Sequence, residues 1–487
     1  MLPPELISLL PHISAEDTAL LVRAYDFARE IHSDKKRLSG EPYIIHSFET
    51  AKTLAGLRLD IPTVAAGLLH DTLGDEGLSR DKLAKEFGEE IAFLVDEQQK
   101  LDRIRYHGGE KYAENLRKLL MVTAKDVRVL TIRLAHRLHN VQTLRYIPEE
   151  KRGRIALETI EIYAPIANRL GMRKLKAELE DAAFPFAFPT EYELTMELLK
   201  EKAGHDKDAL ESAREQLEQA IQAAKIDAKV LYRQKQLYSL FKKLERYDFD
   251  ITRLRDLHAI RVITKNIGDC YQVLGIAHNL WAPLQGQLSD YIASPKPNGY
   301  QSLHTEVLTD AGTIVEIQIR TEEMDAEAEY GIASHLSYVE SGKPRTGGIL
   351  AKKLRWVNQL LEWQKTNQES KEFLDELKMD FFRDRIFAYT PKGDVIEVPD
   401  NATPVDFAYA IHSDIGNHTA GARINGKLVP LNTKIMNGDV VEIDTKKSAH
   451  PSSKWLEFVR TSLARQHIRN YEAAKAVANV SRKTKPK

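Results

Sequence analysis

Two short segments near the middle of the chain constrain its fold more than any other feature. His258–Thr264 (HAIRVIT) and Thr313–Arg320 (TIVEIQIR) are rich in β-branched residues and alternate apolar with polar, the pattern of half-buried strands. In the second, Val315, Ile317 and Ile319 face one way while Glu316, Gln318 and Arg320 face the other. A row of charged and amide groups on one sheet face suits the floor of a site. The exposed face of an edge strand is the plainer alternative. Elsewhere apolar residues recur at helical spacing, in Ala19–Ile31, Val64–Leu69, Leu116–Val122, Ile155–Ala167 and from Ile349 to about Phe381. A sheet set among helices, in 487 residues that exceed one core, predicts a multidomain α+β protein.

Punctuation residues divide the chain. FPFAFPT (Phe184–Thr190) ends the helical first part with two prolines, giving an all-helical domain over 1–188. A charged helical stretch from Glu191 to Lys225, interrupted near Gly204, supplies a linker over 189–225. The strand-bearing α/β domain then covers 226–340. SGKPRTGG (Ser341–Gly348) opens a second helical linker, 341–382. A small mixed module follows over 383–447, and a helical segment with a basic tail over 448–487. In the module, Pro391–Asp394 (PKGD) separates two strands, and Thr403 before Pro404, with Asp406, forms a capping-box pattern. Asn425-Gly426 marks a hairpin.

The net charge of −1 predicts no bulk attraction to nucleic acid or membrane, so any such contact is local. A lone cysteine, Cys270, excludes an intramolecular disulfide and a Cys-rich zinc site. No opening apolar run is long enough for a signal peptide or membrane span, which makes the cytoplasm the expected compartment.

Asp290–Thr305 (DYIASPKPNGYQSLHT) gathers Lys296, Asn298, Tyr300, Gln301 and His304 around Pro295, Pro297 and Gly299. Such a stiffened loop offers a cation, a ring and several donors to a phosphorylated nucleotide, although each residue alone would pass for a surface turn. Upstream, Tyr232–Lys243 (YRQKQLYSLFKK) presents Arg233, Lys235, Ser239 and Lys243 (or Lys242) at near-helical spacing, a triphosphate clamp or simply a solvated face. Asp256 precedes the HAIRVIT strand, where a carboxylate can hold Mg²⁺. Glu316 can take a proton from an attacking hydroxyl or share the metal. In the helical first part, His46, the pair His70-Asp71 and His136 come from separate helices and suit a divalent metal. Scattered histidines are, however, more often structural.

The Asp290–Thr305 loop resembles the guanine-nucleotide loop of long RelA/SpoT-type alarmone enzymes, which make and break guanosine tetra- and pentaphosphate. The likeness runs from about Phe27 to Arg469, and SGEPYIIH, LLHDT and RLHN at Ser39–His46, Leu68–Thr72 and Arg137–Asn140 follow that family's HD hydrolase pattern. The resemblance implies pyrophosphate transfer from ATP to the ribose 3′-hydroxyl of GTP or GDP in the stringent response. It places Arg233, Lys235, Ser239 and Lys243 on the ATP side and Asp256 on Mg²⁺. Glu316 becomes the acidic catalytic partner and Tyr300 the guanine-stacking ring, with Lys296, Asn298, His304 and Gln318 completing the acceptor pocket. Arg261, His278 and Trp281 match as well, as packing or as contact. In the first domain it implies Mn²⁺ on His46, His70, Asp71 and His136, with Arg37, Asn140 and Thr143 on the substrate. The small module is similar to a TGS domain of β-grasp-like fold, which implies uncharged tRNA on the ribosome as partner and His412 as its contact.

Several residues depart from the family pattern. Gln287 and Ser289 replace charged residues, and Asp325 and Leu336 stand for His and Trp. HDTLGD puts Gly74 where the hydrolase carries a glutamate, with Asp75 retained and Glu76 next to it, and His136 replaces an aspartate ligand. Asn417 replaces a second TGS histidine, with His418 one residue later. Long members also continue into helical, zinc-finger-like and ACT regions, so basal rather than ribosome-driven activity is expected. The expectation is therefore a synthetase with a weak or inactive hydrolase domain. The alternatives are a bifunctional synthetase/hydrolase, a non-catalytic nucleotide sensor, or a tRNA-binding module.

Overall fold

The computed structural model describes residues 2–10, 13–73, 78–102, 125–203, 207–233, 236–251, 259–296, 299–334 and 385–483. Gly74, Asp75, Glu76, Lys235, Asp256, Asn298, Leu336 and the expected linker 341–382 lie outside the described residues, as does the expected helical run Leu116–Val122. The chain forms two compact units, Met1–Thr366 and Asn367–Lys487.

The first unit begins as helices. α1 spans Ala15–Ile31, α2 Ile44–Gly56, α3 Ile61–Leu69 and α4 Val127–Gln142. Asp60 caps α3 by accepting the Thr63 amide at 2.9 Å, a cap contributing about 1 kcal/mol. Val64, Ala65, Ala66, Leu68 and Leu69 are fully buried, so α3 is a central helix of this layer. Gly67 permits this, since a Cβ there would meet Leu54 Cδ1 of α2 at 2.5 Å. The missing side chain lets α2 and α3 approach closely.

α5 (Ala164–Arg169) turns at Leu170-Gly171-Met172 into α6 (Arg173–Ala187). The expected break at Phe184–Thr190 is milder than two prolines suggest. Pro185 lies within the last turn of α6, and a new helix starts at Pro189. Near a helix end the lost N–H removes a single bond, and proline is favourable in a first turn.

A six-stranded mixed sheet follows. β1 (Ala228–Tyr232) pairs antiparallel with β2 (Ala259–Thr264), which runs parallel to β6 (Ile314–Thr321). β5 (Leu303–Leu308) lies antiparallel on the other side of β6 and also pairs with β3 (Ala282–Pro283) and β4 (Ser289–Asp290). β6 is therefore interior, and the edge-strand alternative for its polar face falls away. Val315, Ile317 and Ile319 meet Ile260, Val262, Leu303 and Val307 beneath α7 (Lys207–Ala223) and α9 (Ile267–Leu280). Each such side chain contributes roughly 1.5–3 kcal/mol of burial. The helical reading of Tyr232–Lys243 holds only from Leu237, where α8 (Leu237–Arg246) begins; Tyr232 instead ends β1. α10 (Glu322–Tyr330) leaves the end of β6.

A second core joins these layers. Val141 of α4, Leu144, Ala183 and Phe184 of α6, and Tyr238 and Phe241 of α8 form one apolar cluster. The Asp181 side chain of α6 also accepts the Tyr238 amide at 2.9 Å, at the start of α8.

The second unit holds the hairpin β7 (Arg385–Tyr389) and β8 (Val395–Pro399), then α11 (Pro404–Ile411) and the short α12 (Ser413–Asn417). β9 (Thr419–Ile424) is flanked by β10 (Lys427–Val429) and β11 (Val441–Thr445). Asn425 and Gly426 both take positive φ, 52° and 78°, as a two-residue hairpin of this type requires. The Thr403/Asp406 capping box is present. Asp406 also accepts the amides of Arg460 and Thr461 at 2.8 Å, tying the module to α13 (Ser462–Lys483), whose Ala464 and Ile468 pack on Val405 and Tyr409. No described helix is long and apolar enough to cross a membrane.

Candidate functional sites

Two polar clusters occupy the first unit. In the helical layer, His46 of α2, His70 and Asp71 at the end of α3, and His136 of α4 each place one ligand atom within 4.8 Å of all the others. His70 Nδ1 meets the Gly67 carbonyl at 2.8 Å, which turns Nε2 inward with its lone pair. His46 Nδ1 lies 2.8 Å from His139 Nδ1. Tyr43 donates its hydroxyl to Asp71 Oδ2 at 2.9 Å. Such outer partners fix ring orientation around a metal.

Burial, followed by the charge of His70, holds His46 well below the ordinary imidazole value; burial and then His46 do the same for His136. Burial works upward on Asp71, but His70 overcomes it and keeps the carboxylate ionised. His46 and His136 are thus held neutral beside one anion, while burial works downward on His70 but Asp71 outweighs it and raises that imidazole. His46 Nε2 and His70 Nε2 are buried without a hydrogen-bond partner, and they stand 3.6 and 3.3 Å from Asp71 Oδ2. Four-coordinate divalent ions with bonds of about 2.0–2.1 Å put their donors about 3.3–3.4 Å apart. These residues fit a divalent cation. His136 brings a third imidazole into the cluster.

A cavity of about 430 Å³ opens beside this cluster, lined by Lys36, Arg37, Asp71, His136, Asn140 and Thr143 among others. Arg37 Nη2 donates to Asn140 Oδ1 at 3.0 Å and Thr143 Oγ1 at 3.3 Å. Two cations at the mouth of a metal cluster suit an anionic, phosphorylated ligand.

The second cluster lies on the polar face of the sheet. Arg233, just beyond β1, donates to Glu316 Oε2 at 3.1 Å. Gln318 Nε2 donates to Glu316 Oε1 at 2.9 Å, and His304 Nδ1 lies 3.0 Å from the same oxygen. His304 Nε2 lies 2.8 Å from the Tyr300 hydroxyl. The partners assign the roles: Nδ1–H donates to the carboxylate and Nε2 accepts from the phenol. Pairing of His304 with Gln318 across β5 and β6 puts both on one face, and Ser289 of β4 stands opposite His304. Burial works upward on Glu316, but His304 and Arg233 outweigh it and hold the carboxyl well below its usual range. Burial pushes His304 down, so it is neutral.

The described residues of the adjoining loop bond back on one another. The Lys296 amide donates to the Tyr300 carbonyl at 3.1 Å, and the Gly299 amide to the Lys296 carbonyl at 2.8 Å. Gly299 takes a φ of 82°, which a side chain would strain. Lys296 Nζ sits 4.4 Å from the Tyr291 ring centroid. Asp325 accepts Arg320 Nε at 2.8 Å and Arg261 Nη1 at 3.3 Å, so this departure from the family pattern holds one buried and one half-buried arginine. Ser239 and Lys243 are half-buried neighbours one turn apart on α8, while Lys242 pairs with Glu245. Trp281 belongs to the core, and His278 bonds Thr305 at 2.8 Å.

In the second unit His412 is exposed and caps α12, its Nδ1 accepting the Asp414 amide at 3.1 Å. Asn417 accepts the Tyr409 hydroxyl at 3.0 Å. Sequence reasoning missed Tyr43 and His139 at the first cluster, and Tyr291 and Arg173 at the second. The first two stood inside the quoted SGEPYIIH and RLHN motifs. Arg173 carried no local signal, because only tertiary packing brings it to the loop.

Comparison with known proteins agrees with this layout. The HD domain family matches residues 24–173, the region found in RelA / SpoT proteins matches 232–343, and the TGS domain matches 386–445. A GTP pyrophosphokinase of Myxococcus xanthus is 43% identical over 93% of this chain and 60% of its own length. A guanosine-3′,5′-bis(diphosphate) 3′-pyrophosphohydrolase of Aquifex aeolicus is 43% identical over 96% of this chain and 67% of its own. The bifunctional (p)ppGpp synthase/hydrolase SpoT of Escherichia coli is 42% identical over 92% and 64% respectively. The chain thus spans 60–67% of the length of these relatives. On an HD, a synthetase-region and a TGS match in this order, with identity above 40% over nearly the whole chain, the protein belongs to the RelA/SpoT family.

Proposed function

We propose that the sheet-face pocket transfers pyrophosphate from ATP to the 3′-hydroxyl of GTP or GDP, making (p)ppGpp. The observation that carries this reading is the line Tyr300–His304–Glu316–Arg233, which puts a ring, an imidazole, a carboxylate and a guanidinium on one sheet face. The 3′-oxygen attacks the β-phosphorus, the bond from that phosphorus to the α-phosphate bridging oxygen breaks, AMP leaves, and the hydroxyl proton passes to Glu316. With Arg233 and His304 both engaging it, Glu316 is a weak base. A triphosphate that draws Arg233 away removes one counter-charge and raises the basicity of Glu316 when it is needed. Ser239 and Lys243, with Lys235, steady the triphosphate. Lys296, Asn298 and Gln318 hold the acceptor. Asp256 would hold Mg²⁺, which would supply neutralisation of the phosphate charge, an assignment supported by the family resemblance. Incubation with ATP, GDP or GTP and Mg²⁺, followed by anion-exchange separation, is expected to show AMP and a 3′-pyrophosphorylated product in equal amounts. Product formation no greater than in an Asp256→Ala control would reject the reading.

A second reading, hydrolysis of (p)ppGpp to release pyrophosphate, is favoured by the assembled His46/His70/Asp71/His136 cluster and its adjoining cavity. The relatives carry both kinds of name. A divalent cation there, Mn²⁺ on the family resemblance, would supply Lewis-acid activation of water. Lys36, Arg37, Asn140 and Thr143 bind and orient the phosphates, and Tyr43 holds Asp71. The Gly74 substitution keeps this activity slow. Pyrophosphate release from guanosine tetraphosphate with Mn²⁺ tests it, and turnover matching synthesis would make the protein bifunctional. In the same reading the protein works in the cytoplasm, and the second unit meets uncharged tRNA through the outward edge of His412.

A further inference from the structure

The ring assigned to the guanine base has no open face. Tyr300 is 4% exposed, and the Arg173 guanidinium lies 4.3 Å from its ring centroid. That separation is a direct stack and leaves no room for a base between them. Arg320 and Lys296 stand farther off, at 5.8 and 5.5 Å. Arg320 is 2% exposed and bound by Asp325 and Glu329. Lys296 leans chiefly on Tyr291. Arg173 is half-buried and makes no ion pair among the described residues. Of the three cations it is the one whose removal from the ring breaks the fewest interactions.

Its placement is built into the backbone. Arg173 is the first residue of α6 and follows the Leu170-Gly171-Met172 turn. The Ile332 amide donates to the Leu170 carbonyl at 2.8 Å. A Cβ on Gly331 would meet Gly171 C at 2.3 Å. The α5–α6 turn is thus seated backbone to backbone on the end of α10, next to the sheet. A cation at the first position of a helix is on the unfavourable end of the macrodipole, so helix stability does not account for an arginine here. A ring face does, because a guanidinium is planar, delocalised and stacks as a base does.

We propose that Arg173 is an intramolecular competitor for the purine. Its side chain covers the face of Tyr300 on which the guanine base stacks, and the nucleotide binds only by displacing it. This rests on the reading of Tyr300 as the base-stacking ring. Acceptor binding is thereby opposed by a residue of α6, the helix that also carries Phe184 into the core shared with α4 and α8. Displacement of Arg173 registers acceptor binding at a helix that packs on α4, which carries His136.

Calorimetry of the whole chain with GDP as probe tests the idea, with ATP titrated in parallel. Arg173→Ala is expected to tighten GDP binding roughly threefold or more, the scale of a partly exposed cation–π contact, with ATP binding unchanged. Arg173→Lys, which keeps the charge but loses the plane, falls between. Tyr300→Ala weakens GDP binding. If Tyr300→Ala weakens GDP binding while Arg173→Ala leaves it unchanged or weaker, the competitor role is wrong and the base site stands. If Tyr300→Ala has no effect, the base site itself is misassigned and the proposal goes with it. Equal tightening of GDP and ATP by Arg173→Ala would also overturn it, since a general loosening of the unit would then be the cause.

Discussion

The two polar clusters of the first unit have opposite construction. In the helical cluster, inward ring nitrogens at His46 and His70 lack hydrogen-bond partners beside an ionised Asp71. In the sheet cluster, Glu316 is met by Arg233, His304 and Gln318, and Tyr300 is covered by Arg173. The first is arranged for something it does not supply. The second satisfies itself and must be taken apart before a nucleotide can use it. A buried donor or acceptor left without a partner costs about 1–3 kcal/mol, so the orphaned nitrogens of the helical cluster carry a standing penalty that a cation removes, whereas Glu316, His304 and Gln318 of the sheet cluster are all paired. The helical site should therefore bind its cation with little rearrangement, and the sheet site should show its ligands only after internal contacts break.

The largest effect expected from that contrast is at Asp71. Asp71→Ala removes the one anion of the cluster, and bound divalent metal, read by elemental analysis after gel filtration, should fall to background. Retained stoichiometric metal would mean that the orphaned nitrogens serve another end. Next comes Glu316→Gln, which keeps the shape but removes the proton acceptor. Pyrophosphate transfer should drop roughly 10²–10⁴-fold, while metal on the helical cluster is untouched. A loss of metal in that variant would show that the clusters are not separable.

Phe184→Ala probes what they share. Phe184 is fully buried between α4, α6 and α8, and its truncation should cost roughly 3–5 kcal/mol of stability, seen as an earlier urea midpoint. Two separate unfolding transitions in the wild type would show that the shared core does not couple the layers. A smaller change is expected from His136→Asp. Exchanging an imidazole for a carboxylate should move metal preference from zinc-like ions toward Mn²⁺, measured by competition between the two. An unchanged preference would place His136 outside the coordination sphere.

The same contrast explains what the sequence disclosed. The floor of the sheet site was legible because period-two alternation sorts Glu316 and Gln318 from Ile317 and Ile319 without any tertiary information. The metal residues were legible as types, but their convergence depends on Gly67 letting α2 and α3 touch, which no spacing reveals. β1 and β5 escaped notice for different reasons. β1 is a five-residue strand directly before a helix-like charged run, and β5 begins inside a loop rich in Pro and Gly. Arg173 was illegible in principle: it reaches Tyr300 across more than a hundred residues of chain, and backbone contact of the Leu170-Gly171-Met172 turn with Gly331 and Ile332 sets the meeting.

The smallest effect concerns pH and bears on whether the sheet cluster is truly self-satisfied. Glu316 is depressed in the folded state, so its contribution is complete above the unfolded carboxyl value of about 4.3 and is lost as pH falls below it. His304 is depressed as well. The unfolded chain therefore takes up His304's proton first, and stability begins to decline below about pH 6.5. The two act in the same direction, and neutral pH is where both are fully in place. Denaturant midpoints followed from about pH 7 to about pH 2 should fall in the wild type, and Glu316→Gln should flatten the lower part of that fall while leaving the upper part. An identical slope in the variant would mean that Arg233 and His304 do not need the carboxylate, and that the sheet cluster is as unfulfilled as the helical one.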